Sequence, residues 1–151
     1  MATAIYVDAD ACPVRGEVER VALRHGVRVF VVSNGGIRPS SVALIETVIV
    51  PEGPDIADQW IAERANTGDL VITSDMPLAA RVIEAGAKVV RPDGEVFDAR
   101  NIGAAIAMRD LAADLRAADP FRQGKNKSFG KRDRSRFLDA LERCLRQAIQ
   151  R

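Results

Sequence analysis

The chain has 151 residues, 47% hydrophobic and 28% charged, with a net charge of +1. That length supports one domain with a real core, and the composition is ordinary for a globular protein. No apolar run approaches the ~20 residues that span a bilayer, and the N-terminus lacks a signal-peptide layout, so no membrane association and a cytoplasmic location are expected. One histidine, His25, argues against His-based catalysis and against zinc. Cys12 and Cys144 lie too far apart in sequence for a metal-binding spacing.

The near-neutral total hides an asymmetry. Residues 1–119 carry a net charge of −6 and residues 120–151 a net charge of +7. An acidic body with a basic end suits a polyanionic partner held by one part and presented to the other. A merely solvated basic helix would give the same count.

The first strand, Ile5 to Val7, ends on Asp8 and Asp10. Pro13 follows, then helical spacing from Val14 to His25, stopped by Gly26. Val27 to Val32 is β-branched and nearly all apolar, as a strand covered on both faces would be. Residues 37–45 fit a short helix or a loop. Thr47 to Val50 is a third strand. Pro54 to Ala65 reads as a helix opened by proline. Leu70 to Thr73 is a fourth strand, Pro77 to Ala85 a helix, and Ala87 to Val90 a fifth strand. Pro92-Asp93-Gly94 is a turn, and Glu95 to Phe97 has room to pair briefly. The helix from Asn101 to Leu115 offers Ile102, Ala105, Ile106, Leu111 and Leu115 for burial. Residues 118–131 read as a linker, and Phe137 to Ile149 as a last amphipathic helix.

Strands alternating with helices at this spacing predict an α/β fold. The expected architecture is a mostly parallel central sheet with helices on both faces, in one domain over 1–151. Residues 120–151 would supply a basic linker and a C-terminal helix.

Ligands of open α/β sheets bind beyond the carboxyl ends of the strands. Asp8 and Asp10 follow the first strand there, and Asp75 follows the fourth. Asp55 and Asp58 share a face in the first turn of the helix after the third strand. Clustered carboxylates repel and raise one another's pKa values. Oxygen-rich acidic sites suit Mg²⁺ or Mn²⁺, which activate water for displacement at phosphorus. Asp8, Asp58 and Asp75 are the catalytic candidates, and Asp8, Asp10, Asp55, Asp58 and Asp75 the metal-ligand candidates. Ser33, Asn34, Thr73 and Ser74 are supporting polar groups at the same strand ends. Each acid also has a plainer role. Asp55 and Asp58 would complement a helix dipole, Asp10 and Asp75 would cap helices, and Asp8 would form a turn. Cys12 has no evident base and reads as a small buried residue. Trp60 reads as core.

Six cations crowd residues 125–136, with one aromatic. Lys125, Lys127, Lys131, Arg132, Arg134 and Arg136 would grip phosphates, and Phe129 would stack on a base. RNA or another phosphodiester is the expected partner class. The plainer alternative is a linker packed on the body's own acids.

Asp8-Ala-Asp-Ala-Cys-Pro13, Ser33-Asn34, Gly53-Pro-Asp-Ile-Ala-Asp-Gln-Trp-Ile61, Thr73-Ser-Asp-Met-Pro-Leu-Ala-Ala80, Asn101-Ile-Gly and Asp133-Arg-Ser-Arg-Phe137 together resemble the bacterial YaiI/YqxD family. That family is similar to PIN-like domains, whose nuclease members hold Mg²⁺ or Mn²⁺ on acids at strand ends. The resemblance implies that Asp8 is the first-strand acid and Asp75 the acid of a Thr-x-Asp motif. Asp55 or Asp58 would stand at the middle position, where PIN nucleases usually have Glu. Met76-Pro77 follows Asp75, where another acid is often found.

Two other readings compete with a metal-dependent ribonuclease. One is a haloacid-dehalogenase-like phosphomonoesterase with Asp8 as nucleophile and Asp10 as acid/base. It wants a lysine before the last acidic motif, and the first lysine in the chain is Lys88. The other is a non-catalytic module that binds RNA or protein.

Overall fold

Parallel strands buried on both faces need apolar residues at consecutive positions, and the first, second and fourth strands supply them. The computed structural model describes residues 2–9, 12–118 and 129–150, with side chains through 115 in the second of these stretches. Its strands are β1 (Ala4–Asp8), β2 (Arg28–Ser33), β3 (Ile45–Ile49), β4 (Leu70–Ile72), β5 (Lys88–Val90) and β6 (Val96–Phe97). Its helices are α1 (Arg15–His25), α2 (Ile56–Arg64), α3 (Met76–Glu84), α4 (Ile102–Ala118) and α5 (Lys131–Ile149).

The sheet order is β3-β2-β1-β4-β5-β6. All neighbours are parallel except β5 and β6. The chain therefore steps outward from β1 on one side, then returns to β4 on the other. The crevice between the ends of β1 and β4 is the topological switch point, where open α/β sheets bind ligands.

Alternation along the strands separates two cores. Ile5, Val7, Val29, Val31, Leu70 and Ile72 share one cluster with α1 and α5. Tyr6, Val32, Val71 and Val89 share the other with α2 and α3. Helices thus cover both faces of a mostly parallel sheet, as the sequence predicts. In α5, Phe137, Leu141 and Leu145 are fully buried, each worth roughly 1.5–3 kcal/mol by transfer from water. Among the described residues no helix is long and apolar enough to cross a membrane.

Three local expectations shift. Residues 37–44 are a loop, one of the two expected readings, but β3 runs Ile45–Ile49 where the sequence predicts Thr47 to Val50. The last helix begins at Lys131 instead of Phe137, because Gly130 is its N-cap and donates its N–H to Asp133 Oδ2 at 3.0 Å. Lys131, Arg132, Arg134 and Arg136 therefore sit on a helix, outside any linker. In α4, Ile102, Ala105 and Ile106 pack on the second core, but Leu111 and Leu115 are 53% and 49% exposed. No described element covers that end of the helix.

The start of α5 is fixed at the carboxyl edge of the sheet by two contacts. Arg134 Nη1 donates to the Pro13 carbonyl at 2.9 Å and to Glu17 Oε1 at 3.1 Å. On the other side Gly94, with φ +93°, touches the Arg136 backbone so closely that a Cβ would sit 2.7 Å from its carbonyl carbon. A side chain there meets both a left-handed backbone and a blocked space.

Candidate metal centre

Asp8 closes β1, and Thr73 and Asp75 follow β4, so both segments meet at the switch point. The buried Thr73 hydroxyl joins them. It donates to Asp8 Oδ2 at 3.0 Å and accepts from the Asp75 N–H at 3.0 Å. One threonine therefore sets the positions of two candidate ligands. Asp75 also caps α3, with Oδ1 accepting from the Leu78 N–H at 3.0 Å. The capping role read from the sequence is real, and it coexists with the site.

Asp58 comes in from the first turn of α2. Burial pushes its carboxyl pKa up to about 7, helped by a hydrogen bond to Asp75 and by the charges of Asp75, Asp8 and Asp55. Three acids separated by up to 67 positions in sequence thus act on one another. Asp55 is the N-cap of α2, exposed, at φ 64° and with no side-chain capping bond. Among the described residues it is the single non-glycine residue with positive φ. Aspartate tolerates this left-handed conformation better than most side chains. Asp10 lies outside the described residues, as do Lys125 and Lys127.

The supporting groups divide. Ser33 is buried at the end of β2, where its hydroxyl donates to the Gly35 carbonyl at 3.0 Å and accepts from the Gly35 N–H at 3.1 Å. Asn34 and Ser74 are exposed. Cys12 is held protonated, its thiol raised to about 11 chiefly by burial. His25 pairs with Glu142 at 2.7 Å, between α1 and α5. Trp60 is half-buried in an aromatic cluster with Tyr6 and Phe30.

Among the basic residues, Lys131, Arg132 and Arg136 are exposed. Arg134 is engaged with Pro13 and Glu17, and its guanidinium lies 4.9 Å from the Phe129 ring centre. Through Arg134 the basic helix start touches the loop that leads away from Asp8. Lys88, the lysine nearest in sequence to the acids, begins β5 beside Leu70 at the start of β4. It lies at the opposite edge of the sheet and bonds Gln147 at 3.3 Å.

Among the described residues no group of three His, Cys, Asp or Glu side chains is placed to hold a metal ion. The donor chemistry nevertheless fits a hard divalent cation. The groups that interact are carboxylates, and their repulsion shows as a proton retained on Asp58.

Sequence reasoning missed Arg91 and Arg109, which line an open cavity of about 660 Å³ with Ser74 and Met76, the neighbours of Asp75. They sit on separate elements with no shared motif, so nothing in the spacing joins them.

Fold and site define an α/β protein with a carboxylate cluster at the switch point of its sheet. The family model described as "Uncharacterized BCR, YaiI/YqxD family" matches residues 6–147, and the chain belongs to that family. It is 66% identical over 146 residues to a UPF0178 protein of Cereibacter sphaeroides, covering 97% of this chain and 90% of the relative. A UPF0178 protein of Roseobacter denitrificans is also 66% identical over 146 residues, with 97% of each chain covered. One from Parvibaculum lavamentivorans is 54% identical over 149 residues, covering 99% of this chain and 97% of the relative. No solved structure gives a significant match.

Proposed function

We propose that the chain is a PIN-like, metal-dependent phosphodiester hydrolase acting on RNA or a related polyanion. The observation that carries this reading is the mutual approach of Asp58, Asp75 and Asp8, with Asp58 retaining its proton to about pH 7. Acids brought this close repel, and a divalent cation would offset that charge.

Asp8, Asp58 and Asp75 would hold Mg²⁺ or Mn²⁺, with Asp10 and Asp55 at the rim. Such an ion, when bound, lowers the pKa of its water and offsets charge developing at phosphorus. The protein's part is orientation. Thr73 fixes Asp8 and the Asp75 backbone at once, and the cap bond to Leu78 holds the Asp75 carboxylate. Lys131, Arg132 and Arg136 stand at the same edge of the sheet and would hold a phosphate backbone without reading sequence.

The phosphomonoesterase alternative loses support from the position of Lys88, since its chemistry needs that ammonium beside Asp8. The direct test is hydrolysis of a panel of RNA, DNA and phosphomonoesters with Mn²⁺, wild type against Asp75→Asn. Mn²⁺-dependent RNA cleavage that the substitution abolishes supports the proposal; activity unchanged by it removes Asp75 from the chemistry. Thr73→Val keeps the shape and deletes both hydrogen bonds. It should lower cleavage by about 10–100-fold, as loss of a ligand-orienting bond commonly does, while circular dichroism stays unchanged.

A further inference from the structure

The cavity beside the acids has its own chemistry. Its volume, about 660 Å³, falls within the ~300–1,000 Å³ of small-molecule sites. One wall is the turn that carries Asp75, through Ser74 and Met76; the others come from the turn between β5 and β6, from β6, and from the start and first half of α4. Met76 and Phe97 are buried apolar residues of that wall, and Met108 is a 65% exposed one. Two guanidinium groups line the same space. Arg91 is held by Glu95 at 3.3 Å and Asp93 at 3.7 Å, and its buried Nε has no partner among the described residues. Arg109 is exposed and makes no ion pair or hydrogen bond among the described residues.

We infer that this cavity binds one nucleotide, the neighbour of the phosphodiester presented to Asp8, Asp58 and Asp75. Arg109 takes its phosphate. Phe97, Met76 and Met108 take the flat face of its base, since a thioether and an aromatic ring suit a π-surface. The Arg91–Glu95 pair presents a donor and an acceptor to the base edge. Ser74 and Met76 flank Asp75 in the chain, so a nucleotide seated there would extend its next phosphate toward the carboxylates. The inference rests on the proposed hydrolase reading and gives it a nucleotide substrate.

Binding is measurable without catalysis. Two of the three methionines, Met76 and Met108, line the cavity, so full-length protein labelled at methionine methyl groups reports on it by NMR. The titration uses AMP, adenosine and inorganic phosphate, each in EDTA. AMP should shift both methyl signals and saturate with a Kd on the order of 1 mM or tighter. Adenosine and phosphate should each bind about tenfold or more weakly than AMP. Arg109→Glu and Ala104→Trp alter exposed positions of a helix and leave the fold intact. Each should weaken AMP by at least about tenfold, one through charge and the other through space. Asp75→Asn should leave AMP affinity unchanged or higher. The inference is overturned if AMP moves neither methyl, if both variants bind as wild type does, or if phosphate alone matches AMP. Nucleotide binding without Mn²⁺-dependent cleavage would keep the subsite and sink the hydrolase. Cleavage without nucleotide binding would do the reverse.

Discussion

Asp58→Asn should raise the stability of the metal-free protein at pH 8 by about 1–2 kcal/mol, and change it little near pH 4. The sign follows from the raised carboxyl. In the unfolded chain Asp58 ionises near its ordinary 3.8, and in the folded protein only near 7. Between those values the folded state holds a proton that the unfolded state has lost. Stability therefore falls as pH rises from about 4 to about 7, then levels off. Asparagine resembles the neutral acid and can still donate to Asp75, so the variant avoids this loss. Three pKa units would correspond to about 4 kcal/mol; the half-exposed position of Asp58 and solvent screening reduce that to the lower figure. The melting temperature should rise by roughly 2–8 °C at pH 8. Thermal unfolding in EDTA from pH 4 to pH 8 measures it. A wild type more stable than the variant at pH 8 would show that the acids stabilise the fold.

The largest effect is expected at Asp75. Asp75→Asn should reduce Mn²⁺-dependent RNA cleavage by at least about 100-fold, since a direct ligand should matter more than the ~10–100-fold typical of its supporting bonds. Asparagine caps helices about as well as aspartate, so the bond to Leu78 and the start of α3 survive. The loss should appear in kcat, with the melting temperature of the metal-free protein unchanged or higher, since a repelling charge is removed. A loss confined to KM would assign Asp75 to binding of the polyanion instead.

These effects separate what the sequence could show from what it could not. The parallel sheet was legible because its strands are short, apolar and bounded by Gly, Pro and Asp. The shared edge of Asp8 and Asp75 followed from the strand-end rule, which needs only parallel strands; that β1 and β4 are neighbours there was not legible. The proton retained on Asp58 was foreseeable only as repulsion; which acid keeps it depends on burial that no spacing encodes. The basic segment was misjudged at its boundary, because Gly130 reads as a helix breaker until Asp133 is seen to accept its N–H. Arg134 was expected to meet phosphate, and in the fold it meets Glu17 and Pro13, a contact across more than a hundred residues. Leu111 and Leu115 carry helical spacing that signals burial, yet periodicity cannot say whether another layer exists to cover them.

The central claim is that Asp8, Asp58 and Asp75 share a divalent cation. Calorimetric titration of the intact chain with Mn²⁺, in two buffers of different ionisation enthalpy, tests it most directly. The account predicts saturable binding that releases close to one proton at pH 6 and almost none at pH 8.5, weakened at least about tenfold in Asp75→Asn. Binding that releases no proton at pH 6, equal binding by Asp75→Asn, or no binding by the wild type would contradict it.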